Sequence, residues 1–140
     1  MTSARRIAAL VALVIAGEAV FGLPFHVARF FRPTLLAGLG LTNGELGQLL
    51  AAYGVLAMLS YVPGGLLADR FSARRLMTVS LLATAGLGAC LATAPPLTVL
   101  FAIHAGFGVT PLLLFWAALI RATRAWGGAT MQGRAFGALD

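Results

Sequence analysis

Long apolar stretches dominate the chain, and short connections between them carry most of its charge. Four such stretches cover residues 7–27, 47–68, 76–94 and 100–120. Each has about 20 residues, and at ~1.5 Å rise per residue a helix of that length crosses the ~30 Å hydrocarbon layer of a bilayer. Backbone groups in lipid must be satisfied within their own segment, so we expect helices rather than isolated strands. The pattern predicts an all-α membrane protein with four transmembrane helices.

Composition excludes a water-soluble domain. The 140 residues are 60% hydrophobic and only 10% charged, with a mean hydropathy of +0.94, which leaves too few polar groups to cover a soluble surface. The lipid bilayer is therefore the expected partner. A net charge of +6 would suit nucleic acid in a soluble protein, but arginines placed between apolar stretches instead orient a membrane protein. We expect no nucleic-acid partner.

The distribution of arginine predicts how the chain crosses the membrane. All ten basic residues are arginines, and only Arg29 and Arg32 lie in a connection on one side. The others fall on the opposite side: Arg5, Arg6, Arg70, Arg74, Arg75, Arg121, Arg124 and Arg134. The positive-inside rule then predicts that both termini are cytoplasmic. Arginine without lysine, beside abundant alanine, glycine and leucine, is typical of a GC-rich bacterial genome and indicates a multi-pass protein of the bacterial inner (plasma) membrane.

The first apolar stretch has a second interpretation as a secretory signal peptide. Arg5 and Arg6 precede the apolar run 7–17, and small residues follow at its end. Apolar character resumes after Glu18 and gives a stretch of full spanning length, which favours a transmembrane helix. In the next connection, Thr42 or Asn43 can cap the second helix, and Glu45 in its first turn suits the positive end of the helix dipole.

The connection between the second and third stretches resembles the signature of the major facilitator superfamily. Residues Gly65, Leu67, Ala68, Asp69, Arg70 and Arg74 match that signature, and Ser72 and Ala73 depart from it. The resemblance implies a twelve-helix transporter, of which these four helices form part of the N-terminal six-helix bundle. It also implies that the cytoplasmic loop 69–75 acts as a gate, in which Gly65, Asp69, Arg70 and Arg74 latch the two halves of the transporter.

The C-terminal residues 121–140 resemble a cytoplasmic link in the same superfamily. The segments 121–128 and 132–137 are similar to the link that precedes the fifth helix in the sugar-acid and sugar-phosphate branch. Asp140 then ends the sequence where a further helix is expected. The resemblance implies an N-terminal fragment of about a third of a family protein, with the rest of the transporter as its missing partner.

Polar residues inside the apolar stretches are the candidates for a solute or proton path. Glu18 lies near the middle of the first stretch, where a carboxylate must be hydrated, paired or protonated. Gly22, Phe25 and Arg29 follow it on one helical face, so this stripe can border a cavity. A packing role, in which Glu18 accepts hydrogen bonds from a neighbouring helix, is the alternative.

The other candidates for the solute or proton path are histidine, aromatic and arginine side chains. His26 and His104 can titrate or contact an anion, Tyr53 and Trp116 can line a sugar-sized site, and Arg29 and Arg121 can attract an anion. Packing, lipid contact or headgroup anchoring is the competing interpretation for each. Small residues in the second stretch predict close helix approach at Gly44, Gly47, Gly54, Gly64 and Gly65. The apolar third stretch predicts a lipid-facing helix.

Together these residues predict a secondary active transporter that moves a small solute, an organic anion, by proton-coupled alternating access. A four-helix proton antiporter subunit resembling the small multidrug-resistance proteins is the alternative, because Glu18 fits its single carboxylate. A non-transporting membrane assembly subunit is a second alternative. We expect no enzyme, cofactor or metal site, because the sequence has no nucleophile elbow, phosphate loop or metal-ligand spacing.

Overall fold

The fold was analysed in a computed structural model, which describes residues 3–128 and 131–138. Asp140, at which a further helix was expected, lies outside the described residues, as does the side chain of Arg6. The elements are helices Ser3–Phe21, Val27–Phe30, Arg32–Leu39, Asn43–Arg70, Ala73–Ala92, Leu97–Val109, Ala117–Gly127 and Gln132–Gly137, with π-helical turns at Gly22–His26 and Thr110–Trp116. The described ranges contain no β-strand.

Four helical runs are long and apolar enough to cross a membrane. The first span is Ile7–Phe30, the second Asn43–Arg70, the third Ala73–Ala92 and the fourth Leu97–Gly127. The prediction of an all-α chain with four candidate transmembrane helices is confirmed. The six-helix bundle and twelve-helix context implied by the resemblance are not supported by this structure, whose described residues show four candidate spans.

The four spans alternate in direction, so the connections gather at two ends of the bundle. We call the end at the Phe71–Ser72 connection the hairpin end, and the end at Gly40–Thr42 and Thr93–Pro96 the loop end. Chain order puts the start of the first span and the close of the fourth at the hairpin end. Which end faces the cytoplasm remains a prediction.

Side-chain caps define where two of the spans begin. Thr42 Oγ1 accepts a hydrogen bond from the Glu45 N–H at 3.2 Å, and a Glu45 carboxylate oxygen accepts one from the Thr42 N–H at 2.7 Å. This capping box starts the second span at Asn43. Ser72 Oγ accepts from the Arg75 N–H at 3.4 Å and caps the third span. Ser72, one of the departures from the superfamily signature, therefore has a local structural role.

The fourth span is the centre of the bundle. Its most apolar window is 39% buried, against 11% for the first span. It meets the second span through glycines: a Cβ added to Gly64 would come within 2.7 Å of the Leu112 carbonyl oxygen, and one added to Gly108 within 3.0 Å of the Ala57 nitrogen. These two positions let the helix backbones approach closely.

Most of the glycines predicted to mediate close approach do not do so. A Cβ added at Gly47, Gly54 or Gly65 would meet nothing within 4 Å, and one at Gly44 would meet only the neighbouring Thr42 hydroxyl. The prediction holds at Gly64 and is wrong at the other four positions. Composition marked these residues as small, but the direction in which each glycine faces is set by the packing of the second span against the fourth.

The third span is not simply a lipid-facing helix. Val79 and Leu82 are exposed as expected, but Ser80 and Thr84 on its inner face are buried, with 0% and 3% of their surface exposed. Ser80 Oγ donates to the Thr110 carbonyl at 2.7 Å, and the hydroxyls of Thr84 and Thr110 are 2.8 Å apart. The prediction is corrected, because these hydroxyls join the third span to the fourth.

Candidate functional site

Spans one, two and four enclose a series of neighbouring pockets that share lining residues. We call this series the groove. Its loop-end pocket has a volume of about 420 Å³, its central pocket about 440 Å³ and its hairpin-end pocket about 590 Å³. Tyr53 lines the first two, and Tyr61, Leu112 and Trp116 line the last two. A side pocket of about 290 Å³, lined by Glu18, His26 and Trp116 among others, adjoins the centre.

Glu18 and His26 face each other across the side pocket. His26 Nδ1 lies 3.9 Å from a Glu18 carboxylate oxygen. Residues eight apart are separated by about 12 Å along a regular helix axis, so both side chains extend toward each other along the helix surface. His26 is the last residue of the π-helical turn Gly22–His26, which contains the buried Pro24. This pair is salt-bridged only when His26 is protonated, so its charge depends on proton occupancy.

Both members of the pair are open to their surroundings. The Glu18 side chain is 70% exposed and the His26 side chain 40% exposed. A carboxylate in a span needs water or protein around it, because hydrocarbon does not solvate it. The side pocket supplies a place for water beside Glu18. A carboxylate and an imidazole thus lie together where the first span borders the groove.

Arginines occupy the loop end of the groove. Arg29 and Arg32 line the loop-end pocket together with Phe25 and Tyr53. The Arg29 guanidinium carbon lies 5.9 Å from the centre of the Phe25 ring and 5.6 Å from that of Phe30, within cation–π range. Arg32 donates through Nε to the side-chain oxygen of Asn43 at 3.0 Å. Both guanidinium groups keep donors free of these contacts and can bind an anion.

Arginines also occupy the hairpin end. Arg121 and Arg124 line the hairpin-end pocket beside Gly65 and Asp69. Arg121 Nη1 donates to the Ala68 carbonyl oxygen in the last turn of the second span. This contact joins the second and fourth spans and satisfies a carbonyl at the negative end of a helix dipole. Arg121 is thus a structural bridge that also lines the pocket.

The residues of the proposed gate lie at or near the connection between the second and third spans. Asp69, Arg70 and Arg74 are exposed, and no basic side chain in the described part of the chain forms an ion pair with Asp69. Gly65 and Asp69 line the hairpin-end pocket, and Arg70 and Arg74 do not.

The aromatic candidates and His104 occupy different environments. Trp116 packs edge-to-face on Phe21 with ring centres 6.0 Å apart, and it lines three of the pockets. Tyr53 lines two. His104 lines none of them: it is 3% exposed, and its Nδ1 is 2.8 Å from the Leu100 carbonyl oxygen. This position suits packing within the fourth span.

Sequence reasoning missed several groove residues. Phe21, Tyr61 and Arg124 line pockets, and only their spacing from Glu18, Tyr53 and Arg121 on the same helices could have indicated it. Thr110 was not among the predicted path residues. The dipeptide Thr110-Pro111 is the available signal for the π-helical turn that begins there. Within the described residues there is no group of three or more His, Cys, Asp or Glu side chains that could hold a metal ion.

The chain is similar to inner membrane proteins of Escherichia coli. It is 30% identical to the inner membrane protein YqcE over 138 residues, which are 99% of this chain and 32% of YqcE. It is also 30% identical to the inner membrane protein YihN over 125 residues, 89% of this chain and 30% of YihN. An uncharacterized protein of Mycoplasma pneumoniae, a homolog of MG294, is 32% identical over 123 residues, 79% of this chain and 26% of that protein.

These comparisons correct the family assignment. No family model matches the chain, and no solved structure matches it. The two Escherichia coli relatives are described only as inner membrane proteins, which does not support the major facilitator superfamily, its sugar-acid branch or an N-terminal fragment of such a transporter. That assignment is withdrawn. The chain spans about a third of the length of these two relatives.

Proposed function

We propose that this chain takes part in moving a small organic anion across the bacterial inner membrane, with proton movement coupled to solute movement. The groove between the first, second and fourth spans is the solute path. The observation that carries the proposal is the 3.9 Å approach of His26 to Glu18 beside the groove. The inner-membrane location rests on the two Escherichia coli relatives and on the four apolar spans.

The coupling role of Glu18 follows from the cost of charge in a membrane. An ionised carboxylate in a span is expensive unless it is paired or hydrated, so residues of this kind are functional candidates by default. Protonated His26 stabilises ionised Glu18, and loss of that proton removes the attraction. An anion in the adjoining pocket would favour the proton-rich form of the pair. Solute binding and proton binding are thereby linked.

The preference for an anion rests on the ends of the groove. Arg29 and Arg32 line one end and Arg121 and Arg124 the other. Guanidinium groups bind carboxylate and phosphate through paired N–H donors, which a neutral solute uses less well. Between these ends, Tyr53, Tyr61 and Trp116 offer aromatic surfaces to the uncharged part of the solute.

The proposal also includes an orientation of the chain in the membrane and a role without catalysis. The positive-inside rule puts the hairpin end and both termini in the cytoplasm. The protein acts as a carrier and not as an enzyme, and it needs no cofactor, nucleic acid or metal.

A membrane assembly role is the second candidate, and the 70% exposure of the Glu18 side chain favours it. Another membrane chain that covers the groove would also shield this carboxylate. In that case the polar residues hold helices together, and no solute crosses. A proton antiporter formed by two copies of this chain combines the two candidates, because the second copy covers the groove and protons still cross the membrane.

Uptake measurements distinguish these candidates. The protein is reconstituted in liposomes and offered hexuronates, sugar phosphates and neutral sugars, with and without a pH gradient. We expect gradient-dependent uptake of an anion and its loss in Glu18→Gln. Glu45→Gln is the matched control, because Gln also serves in a capping box. Uptake of neutral sugars alone, unaffected by Glu18→Gln, would remove both the anion and the proton role. If no solute crosses and Glu18→Gln releases a co-purifying membrane chain, the assembly role is correct.

A further inference from the structure

The fourth span changes its helical register midway. Regular α-helix runs from Leu97 to Val109, a π-helical turn covers Thr110–Trp116, and α-helix resumes at Ala117. A π-helical turn holds an extra residue compared with α-helix. Converting it to α-helix would rotate everything beyond it by about 100° and shift it by about 1.5 Å. The faces shown by Trp116 and Arg121 therefore depend on this turn.

Hydroxyl groups of the third span hold the start of that turn. The Thr110 carbonyl accepts a hydrogen bond from Ser80 at 2.7 Å, and the Thr110 hydroxyl lies 2.8 Å from that of Thr84. All three residues are buried, with exposures of 0% for Ser80, 3% for Thr84 and 9% for Thr110. A hydrogen bond between such buried groups is costly to break, because water does not replace it.

Pro111 adds a second reason for an irregular turn at this point. Proline has no N–H, so a helix carbonyl in the preceding turn loses its donor. The π-helical geometry accommodates the ring, and the Ser80 hydroxyl supplies an extra donor to the adjacent Thr110 carbonyl. The proline and the tertiary hydrogen bonds therefore act on adjacent residues at the start of the π-helical turn.

The groove depends on what lies beyond the turn. Trp116 is the last residue of the π-helical segment and packs on Phe21 at the wall of the side pocket. Arg121 lies five residues further on and donates to the Ala68 carbonyl. A rotation of about 100° would take both side chains away from these partners.

We propose that Ser80 and Thr84 are positioning residues, which hold the fourth span in its π-helical register through Thr110 and thereby keep Trp116 and Arg121 on the groove. Neither Ser80 nor Thr84 lines the groove pockets, so their effect on it passes through the fourth span. The functional meaning of this inference rests on the proposed role of the groove as a solute path. Its structural content does not, since it concerns only the direction in which Trp116 faces.

Fluorescence of Trp116 tests the inference directly. The chain in lipid nanodiscs carries Trp126→Phe, so that Trp116 is the single tryptophan. Acrylamide quenching and the emission maximum are then compared between this parent and the Ser80→Ala/Thr84→Val double variant. We expect the ratio of the two registers to shift by roughly twofold to tenfold on loss of the buried hydrogen bonds, and the quenching constant to change in proportion to the fraction of chains that leave the π-helical register.

Matched variants separate positioning from general loosening. Thr84→Ser keeps the hydroxyl and should retain the parental quenching, whereas Thr84→Val keeps the shape without the hydroxyl and should not. Thr78→Val removes an exposed hydroxyl from the same span and should have no effect. If the double variant loses its helical circular dichroism signal and so does not fold, the single Thr84→Val variant is compared with the parent instead. Parental quenching in a folded Thr84→Val chain, or an equal change in Thr78→Val, overturns the inference.

The outcome is independent of transport. A protein that moves no anion but shows the expected Trp116 response contradicts the proposed function and supports the positioning role. A protein that transports an anion normally, but shows no Trp116 response in Ser80→Ala/Thr84→Val or in Thr84→Val, supports the proposed function and contradicts the positioning role.

Discussion

Gly64 of the second span lies directly against Leu112 of the fourth. A Cβ added to Gly64 would come within 2.7 Å of the Leu112 carbonyl oxygen and 3.2 Å of the Leu113 Cα, both backbone atoms that no side-chain rotation can move. The neighbouring Gly65 faces open space, with nothing within 4 Å of an added Cβ. Adjacent glycines in one helix therefore have different roles, and the contact at Gly64 sets the distance between the two spans that line the groove.

Gly64→Ala should destabilise the bundle, and Gly65→Ala should not. Overpacking against backbone costs about 1 to 3 kcal/mol, whereas alanine in an open helical position gains up to about 1 kcal/mol over glycine. Thermal unfolding of the purified chains in one detergent measures both effects. Equal stability of the two variants would show that the spans do not approach each other at Gly64.

Thr42→Ala should fray the start of the second span. Loss of an N-cap costs about 0.5 to 2 kcal/mol, and the Thr42 hydroxyl that accepts from the Glu45 N–H also donates to the Glu45 carboxylate at 2.7 Å. Hydrogen exchange of the amides of residues 43–46 is the measurement, and Thr42→Ser, which keeps the acceptor oxygen, is the control. Exchange as slow in Thr42→Ala as in the parent would mean that the capping box does not form.

The hairpin end should face the cytoplasm. In a Cys90→Ala background, a cysteine introduced by Ser72→Cys should resist an impermeant thiol reagent in intact cells and react after permeabilisation. Gly38→Cys, at an exposed position near the loop end, should react in intact cells. The reverse labelling pattern would invert the orientation that the arginine distribution predicts.

Sequence and structure agree where the signal is local. Apolar stretches of spanning length predicted the four helices, because lipid leaves a backbone no partners except its own. Of the two capping candidates, Thr42 and Asn43, the structure has Thr42 as the cap, and the signal was local because its partner lies three residues away. Proline within an apolar stretch is also a local signal for an irregular helix, and Pro24 lies in the π-helical turn of the first span.

Sequence reasoning failed where two spans had to be placed side by side. Ser80 and Thr84 meet Thr110 across about thirty residues of chain. Their helix looked uniformly apolar, because a few small hydroxyl residues barely change its hydropathy. The 3.9 Å approach of Glu18 to His26 was also not predicted, although both were candidates. It depends on side-chain directions around a π-helical turn that helical periodicity alone does not describe.

The most direct test of the account is proton movement driven by solute. Liposomes that contain the protein and an internal pH-sensitive dye are given the transported anion with no initial pH gradient. We predict internal acidification in the parent and in Glu45→Gln, and its absence in Glu18→Gln, because Gln cannot exchange a proton with His26. Acidification of equal size in Glu18→Gln, or anion uptake with no proton movement in the parent, would contradict a coupling role for the Glu18–His26 pair.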